Sequence, residues 1–493
     1  MQSRNLALLL LFGISALMLP AQTPAPAAPS PPPGSRGLPP PPLPIGPVQQ
    51  TTPAAQAPAQ APATQAPPAT TGAPATPAAP RTPQAPPSVV AGIPVNYDEA
   101  KVGTYTLTDP LVMNNGKPVK DAKAWWNKRR PEIEAIFETQ QYGRDPGRPA
   151  DESFDVTDKG TPALDGKAIR KQVTISFSRD PAWPKLHLLI YLPAAAHKPV
   201  PMFFSINFGA VQGAVDDPGI TPEEIWNPRT NEKMMPPPGR GFGRLPVAQF
   251  LDAGIGVATY YYGEIDPDYL SGFSNGIRAK YLKPGQTDRA PDDWGAIGAW
   301  AWGMSRVEDY FETDAAIDAK RVAIHGVSRL GKTVMWAGAH DQRFAAVIAS
   351  CSGEGGAALS HRDYGETIAH LTAPTRYPYQ FAANYANWAG FPDKAPMDAN
   401  LLVALIAPRP LLLQTGDKDF WSDPKGEFLA EVAAGPVYKL LGKDPLDTDV
   451  WPAAKTPILH DLAYYMHDGP HGMVPTDWDI YIEFLKMHLH PEQ

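Results

Sequence analysis

The chain of 493 residues carries 43 basic and 51 acidic side chains, 60 prolines and one cysteine. Its net charge of −8 argues against a nucleic-acid binder, whose basic side chains would cluster. The single Cys351 excludes an intramolecular disulfide framework and a multi-cysteine zinc site. In chain order, the first expected element is a secretory leader over residues 1–21. Arg4 supplies a positive start, Leu6 to Leu19 an apolar run too short to span a bilayer, and Pro20-Ala21 a break. Residues 22–90 are dominated by Pro, Ala, Gln and Thr. Such a stretch buries too little apolar surface to offset its ordering entropy, so a disordered spacer is expected there.

Residues 91–493 have the composition of one large folded domain. Strands are expected at Ile169–Phe177, Leu186–Leu192, Pro201–Phe208, Ile255–Tyr262, Arg321–His325, Ala345–Ser350 and Leu411–Thr415. Several are short, continuous apolar runs, as in strands buried on both faces of a parallel sheet. Helical patterns fall between and around them, at Asp121–Gln141, Asp292–Ile317, Leu330–Ala339, Lys425–Leu441 and Trp478–His488. That alternation implies a doubly wound α/β sandwich of three layers with a mostly parallel sheet. Long irregular stretches at Ala210–Leu245, Asp266–Asp288 and Ser352–Asn400 read as insertions that shape a substrate site. The aromatic residues Trp294, Trp300, Trp302 and Tyr260 to Tyr262 are spaced as core.

The most informative segment is the apolar strand at Arg321–His325 that runs through Gly326-Val327-Ser328 straight into a helical pattern. This is the setting of a nucleophile elbow, in which a sharp strand-to-helix turn lifts a serine hydroxyl above the sheet of an α/β-hydrolase. Gly326 and Gly331 remove side chains where strand, turn and helix crowd together. An elbow serine needs a base and an acid behind that base, in the chain order Ser, acid, His. His471, between Pro470 and Gly472 in a loop before the last helix, is the expected base, with His467 and His460 behind it. The acid is expected in the loop after Leu411–Thr415, where Asp419 leads and Asp417 is its close rival. Asp423 is expected to cap the next helix. The histidines lack an H-E-x-x-H arrangement, so no catalytic metal and no cofactor are expected.

At Gly326-Val327-Ser328-Arg329-Leu330-Gly331-Lys332 the sequence resembles the glucuronoyl esterases, carbohydrate esterase family 15 of the bacterial type, whose elbow reads G-x-S-R-x-G-K. The likeness continues through Ser352-Gly353-Glu354-Gly355-Gly356, Glu366, Asp419-x-Trp421 and Pro470-His471-Gly472, and takes in the Trp125–Gly143 region. The resemblance implies a serine esterase acting on esters between 4-O-methyl-glucuronic acid of glucuronoxylan and lignin alcohols. It implies Ser328 as nucleophile, with Asp419 and His471 completing a triad, and Arg329 as an oxyanion-binding residue. Lys332 and Glu366 are implied as contacts to sugar hydroxyls, and Trp421 as a residue lining the sugar site. Fungal members carry their acid 23 residues after the serine, where this chain has Cys351. A thiol does not replace a carboxylate in orienting an imidazole, so the later position is expected to serve. Glu354 is a reserve candidate.

The expected protein is a secreted or periplasmic monomer with no membrane span after cleavage of the leader. An acetyl-xylan or feruloyl esterase is the alternative within enzymes. A catalytically silent polysaccharide-binding protein on the hydrolase fold is the alternative outside them.

Overall fold

The computed structural model describes residues 86–236 and 243–492. The leader and nearly all of the spacer expected over residues 1–90 therefore lie outside the described residues. At the end of that stretch, Val89–Val90 pairs antiparallel with Ile93–Pro94.

The centre of the fold is a ten-stranded sheet. Its strands are β1 (Ser153–Ala163), β2 (Ala168–Ser176), β3 (Lys185–Pro193), β4 (Val200–Asn207), β5 (Gly256–Tyr261), β6 (Ile317–Val327), β7 (Ala346–Ser350), β8 (Leu411–Gly416), β9 (Ile458–Leu459) and β10 (Leu462–His467). They lie in the order β9-β10-β8-β7-β6-β4-β5-β3-β2-β1. From β10 through β5 neighbouring strands run parallel, and antiparallel pairs extend the sheet at both ends. The main helices are α1 (Arg130–Gln140), α2 (Val247–Asp252), α3 (Ala296–Phe311), α4 (Arg329–His340), α5 (Ala399–Ile406), α6 (Pro424–Leu440) and α7 (Pro475–Leu489).

Side-chain alternation builds the three layers. Along β4, Met202, Phe204 and Ile206 join the core that includes α1, α3, α4, α5 and α6, whereas Phe203 joins the opposite core with α2 and α7. The same split repeats at Ile324 against Ala323 in β6 and at Leu413 against Leu412 in β8. All 16 residues of α3 are buried, which explains an apolar pattern without a polar face. The aromatic residues expected as core are buried: Trp294, Trp300, Trp302, Tyr260, Tyr261 and Tyr262.

Five of these elements were not among the sequence expectations: β1, β9, β10, α2 and α5. Edge strand β1 contains Gly160 and Pro162, which read as turn residues; at a sheet edge a proline loses no ladder hydrogen bond. Strand β10, all six residues of it buried, is too short and apolar for periodicity to assign, and it lies against a Gly/Pro-rich loop. It displaces β8 as the last parallel strand. Helix α5 is buried on every side and lacks any amphipathic pattern. The helical pattern expected over Asp292–Ile317 closes at Phe311, and Ile317 already opens β6. Among the described residues, no helix is long and apolar enough to cross a membrane.

The register positions the site. Val327 of β6 lies beside Ser350 of β7, Ser350 beside Gln414 of β8, and Gly416 of β8 beside His467 of β10. The loops leaving β6, β8 and β10 therefore emerge together at one end of the sheet.

Candidate active site

Ser328 occupies the turn between β6 and α4 with φ 59° and ψ −125°. A non-glycine residue in such a conformation stores about 1–3 kcal/mol, and the surroundings must over-determine it. Its N–H donates to the Ser350 carbonyl at 2.8 Å, tying the turn to the end of β7. A Cβ on Gly326 would come 2.3 Å from the Leu330 carbonyl oxygen, and one on Gly331 would come 2.7 Å from the Ser350 carbonyl oxygen. Both glycines are thus required by close backbone approach.

The loops after β8 and β10 clasp each other. Asp417 N–H donates to the His467 carbonyl (3.0 Å), Lys418 N–H to the Gly469 carbonyl (2.9 Å), and Gly469 N–H to Asp417 Oδ1 (2.8 Å). This clasp brings buried Asp419 to His471, with 2.7 Å between Asp419 Oδ2 and His471 Nδ1. Ser422 Oγ lies 3.3 Å from the same ring nitrogen. The imidazole is 42% exposed, open to an incoming molecule on its far side.

The other candidate acids stand elsewhere. Asp417 is engaged in the clasp. Glu354 Oε1 accepts from Ser360 Oγ (2.7 Å) and Tyr385 Oη (2.8 Å), and burial pushes its carboxyl up to about 8. Asp423 is the N-cap residue of α6, but its side chain makes no capping hydrogen bond and instead accepts from Arg362 Nε at 2.8 Å. His467 is buried between Asp477 (3.1 Å) and the Pro470 carbonyl (3.0 Å), and the hydrogen bond to Asp477 raises its pKa. Cys351 is buried beside the pair: its Sγ lies within 4.8 Å of Asp419 and His471 ligand atoms and accepts from Gly472 N–H at 3.4 Å. Burial holds its thiol well above the ordinary value.

Arg329 opens α4. Its Nη1 donates to Asp268 Oδ2 at 2.5 Å, and the guanidinium lies 4.8 Å from the centre of the Tyr377 ring. Asp268 also accepts from Tyr262 Oη (2.7 Å), Tyr379 Oη (2.6 Å) and Gln380 Nε2 (2.8 Å). Burial pulls the Arg329 pKa down, but the neighbouring Asp268 charge outweighs it and holds the group protonated. The Arg329 N–H belongs to the first turn of α4, where donors have no intrahelical acceptor.

Lys332, Glu366 and Trp421 gather on one flank. Lys332 Nζ donates to the Ser352 carbonyl (2.6 Å) and stands 3.8 Å from Glu366 Oε2; burial lowers its pKa and Glu366 opposes that. Glu366 N–H donates to the Trp421 carbonyl (2.8 Å), and Arg376 pairs with Glu366 (2.8 Å) while covering the Trp421 ring at 5.2 Å. Ser328, Arg329, Lys332, Glu366, Asp419, Trp421 and His471 line one cavity of about 210 Å³.

Sequence reasoning missed Asp268, Arg376, Tyr377, Gln380 and Ser422. Arg376 and Tyr377 lie in an irregular stretch without motif spacing. Asp268 offered one signal, an acid and a proline pair (Asp266-Pro267-Asp268) just beyond the Tyr260–Tyr262 strand end. Chemically, the cavity combines an exposed imidazole backed by a carboxylate, a strained serine and a fixed guanidinium. Those are the parts of a serine acyl-transfer site.

Comparison with known proteins agrees with this chemistry. The sequence profile described as "Glucuronyl esterase, fungi" matches residues 287–442. "Carbohydrate esterase MZ0003", from an unknown prokaryotic organism, is 45% identical over 403 residues, 80% of this chain and 92% of that protein. A "4-O-methyl-glucuronoyl methylesterase" of Cerrena unicolor is 29% identical over 364 residues, 72% of this chain and 65% of that protein. Among solved structures, a glucuronoyl esterase from Solibacter usitatus is 45% identical and superposes with a TM-score of 0.76, covering 79% of this chain and 100% of that one.

Proposed function

Since the chain belongs to carbohydrate esterase family 15, the glucuronoyl esterases, we propose that it hydrolyses esters joining 4-O-methyl-glucuronic acid of glucuronoxylan to lignin alcohols. The observation that carries this reading is the 2.7 Å Asp419–His471 contact in one cavity with Ser328 and a guanidinium anchored on Asp268. His471 takes the Ser328 proton as Oγ bonds to the ester carbonyl carbon, and Asp419 stabilises the resulting imidazolium. The carbonyl oxygen becomes an oxyanion, met by the Arg329 side chain and backbone N–H. Collapse expels the alcohol, which receives the proton from His471. Water, deprotonated by the same ring, then cleaves the glucuronoyl-Ser328 ester and frees the acid.

Lys332 and Glu366 serve as hydrogen-bonding partners for the sugar hydroxyls, and Trp421 as an apolar wall. Charges held this close to the ester suit a polar uronic ring better than a small acetyl group. The N-terminal apolar run supports action outside the cytoplasm, and we take the working unit to be a monomer, which sedimentation of the full chain checks.

The test is a substrate panel. Benzyl glucuronate should be cleaved with far higher kcat/KM than acetylated xylan or a feruloyl ester, and Ser328→Ala should fall to background. Equal use of acetyl or feruloyl esters overturns the substrate class. Failure of a serine-directed phosphonate to label the chain would place it with non-catalytic polysaccharide binders.

A further inference from the structure

A second cavity, of about 420 Å³, opens where β3, the turn after β5 and the loop after β4 meet. Three chemistry-bearing side chains converge there, and none of them lines the cavity of Ser328: His187, Glu223 and Glu264. Their ligand atoms lie within 4.8 Å of one another. The two glutamates are each 8% exposed, whereas the imidazole is 49% exposed.

Each carboxylate has one oxygen held by a backbone amide and the other turned inward. Glu264 Oε2 accepts from His187 N–H at 2.8 Å, and its Oε1 lies 2.5 Å from His187 Nδ1. Glu223 Oε1 accepts from Val211 N–H at 2.6 Å. Its Oε2 is buried, accepts from no nitrogen or hydroxyl donor among the described residues, faces the Glu264 carboxylate and stands 4.0 Å from His187 Nδ1. An acceptor buried in that way is costly unless something electropositive meets it. Lys233, which lines the cavity, forms no ion pair among the described residues and rests its ammonium over the Trp226 ring at 5.4 Å.

We propose that His187, Glu223 and Glu264 form a binding site for a divalent transition metal of the Zn²⁺ class. One imidazole and two carboxylates make a mixed nitrogen–oxygen donor set, which favours such ions over Mg²⁺ or Ca²⁺. Bond lengths of about 2.0–2.2 Å are needed to all three donors. The half-exposed His187 ring must therefore withdraw somewhat from Glu264, and the cation replaces the direct contact between them. The backbone amides on the outer oxygens act as the supports that orient ligating carboxylates. Three protein donors leave the remaining positions to water from the cavity. Glu264 is four residues before Asp268, so the ion would tie β3 to the segment that anchors Arg329. It would act on stability and not on the ester.

The test uses the full chain, stripped with chelator and titrated with Zn²⁺ by calorimetry and thermal melting. One equivalent should bind with a rise in Tm, and excess Ca²⁺ should not compete. His187→Ala and Glu223→Gln should each weaken binding by about tenfold or more and abolish the Tm rise, while hydrolysis of benzyl glucuronate by the metal-free proteins stays near wild type. Glu264→Gln, which keeps the acceptor for His187 N–H, serves if either variant fails to fold. The proposal is overturned if the stripped chain takes up no Zn²⁺, or if binding survives these substitutions. It is overturned equally if binding disappears in His471→Ala, because the ion then sits at Cys351, Asp419 and His471.

Discussion

The two walls of the Ser328 cavity are built differently. On one wall, Ser328, Asp419 and His471 sit one, three and four residues beyond the ends of β6, β8 and β10. Parallel register brings those strand ends level, so short loops suffice to join the three side chains. On the other wall, the Arg329 guanidinium is aimed by Asp268, itself gripped by Tyr262, six residues upstream, and by Tyr379 and Gln380 from a distant segment. The first wall is a product of the sheet. The second is a hydrogen-bonded assembly of insertions, and its charge is set in place by partners that the elbow sequence does not contain.

Substitutions can break each wall separately. Ser328→Ala should cost the most, about 10⁴-fold or more in kcat, because binding and oxyanion donors alone remain. Asp419→Asn should follow closely, at up to about 10⁴-fold. Glu354→Gln, on an acid that faces Ser360 and Tyr385, should leave kcat near wild type; steady-state kinetics on benzyl glucuronate would reverse the assignment of the acid if the ranking inverted. Arg329→Ala should lower kcat about 10²–10³-fold with little change in KM, as for loss of one oxyanion donor. Asp268→Asn removes the charge that holds the guanidinium and should give a smaller loss of the same kind, in kcat more than in KM. An Asp268→Asn enzyme with wild-type kcat would mean that the second wall does not need its anchor.

The smallest effect concerns stability. Burial pushes Glu354 from an ordinary value of 4.5 up to about 8, so between those pH values the folded chain holds a proton that the unfolded chain releases. Stability from this group is therefore full below about pH 4.5 and declines as pH rises through 8. Glu308 and Glu427 are pushed up to about 8 as well and act in the same direction. Glu354→Gln mimics the protonated acid, so its Tm relative to wild type should rise between pH 5 and pH 8. A constant difference across that range would show that Glu354 carries no such proton.

What could be read in the sequence follows the same division. The elbow was legible because strand, Gly-x-Ser and helix are contiguous. His471 and Asp419 were legible because both follow strand ends in a fixed chain order, even though β10 itself went unseen. The clasp that separates Asp417 from Asp419 depends on hydrogen bonds across some fifty residues of chain, so spacing left the two as rivals. Asp268 and Arg376 were invisible for a stronger reason. Arg376 acts through Glu366, ten residues away, and Asp268 is held by Tyr379, over a hundred residues away, inside loops with no periodicity. Tyr262 could be placed as core by its spacing, and it is core, yet its hydroxyl serves Asp268.

The central claim is that Ser328, and no other nucleophile of the cavity, carries the acyl group. Rapid-quench mass spectrometry of the enzyme turning over benzyl glucuronate tests it directly, since Cys351 lies in the same cavity. The expected result is a glucuronoyl mass on the peptide containing Ser328 that forms and decays at the rate of turnover and is absent from Ser328→Ala. An adduct on Cys351, or full turnover with no adduct on either side chain, would contradict it.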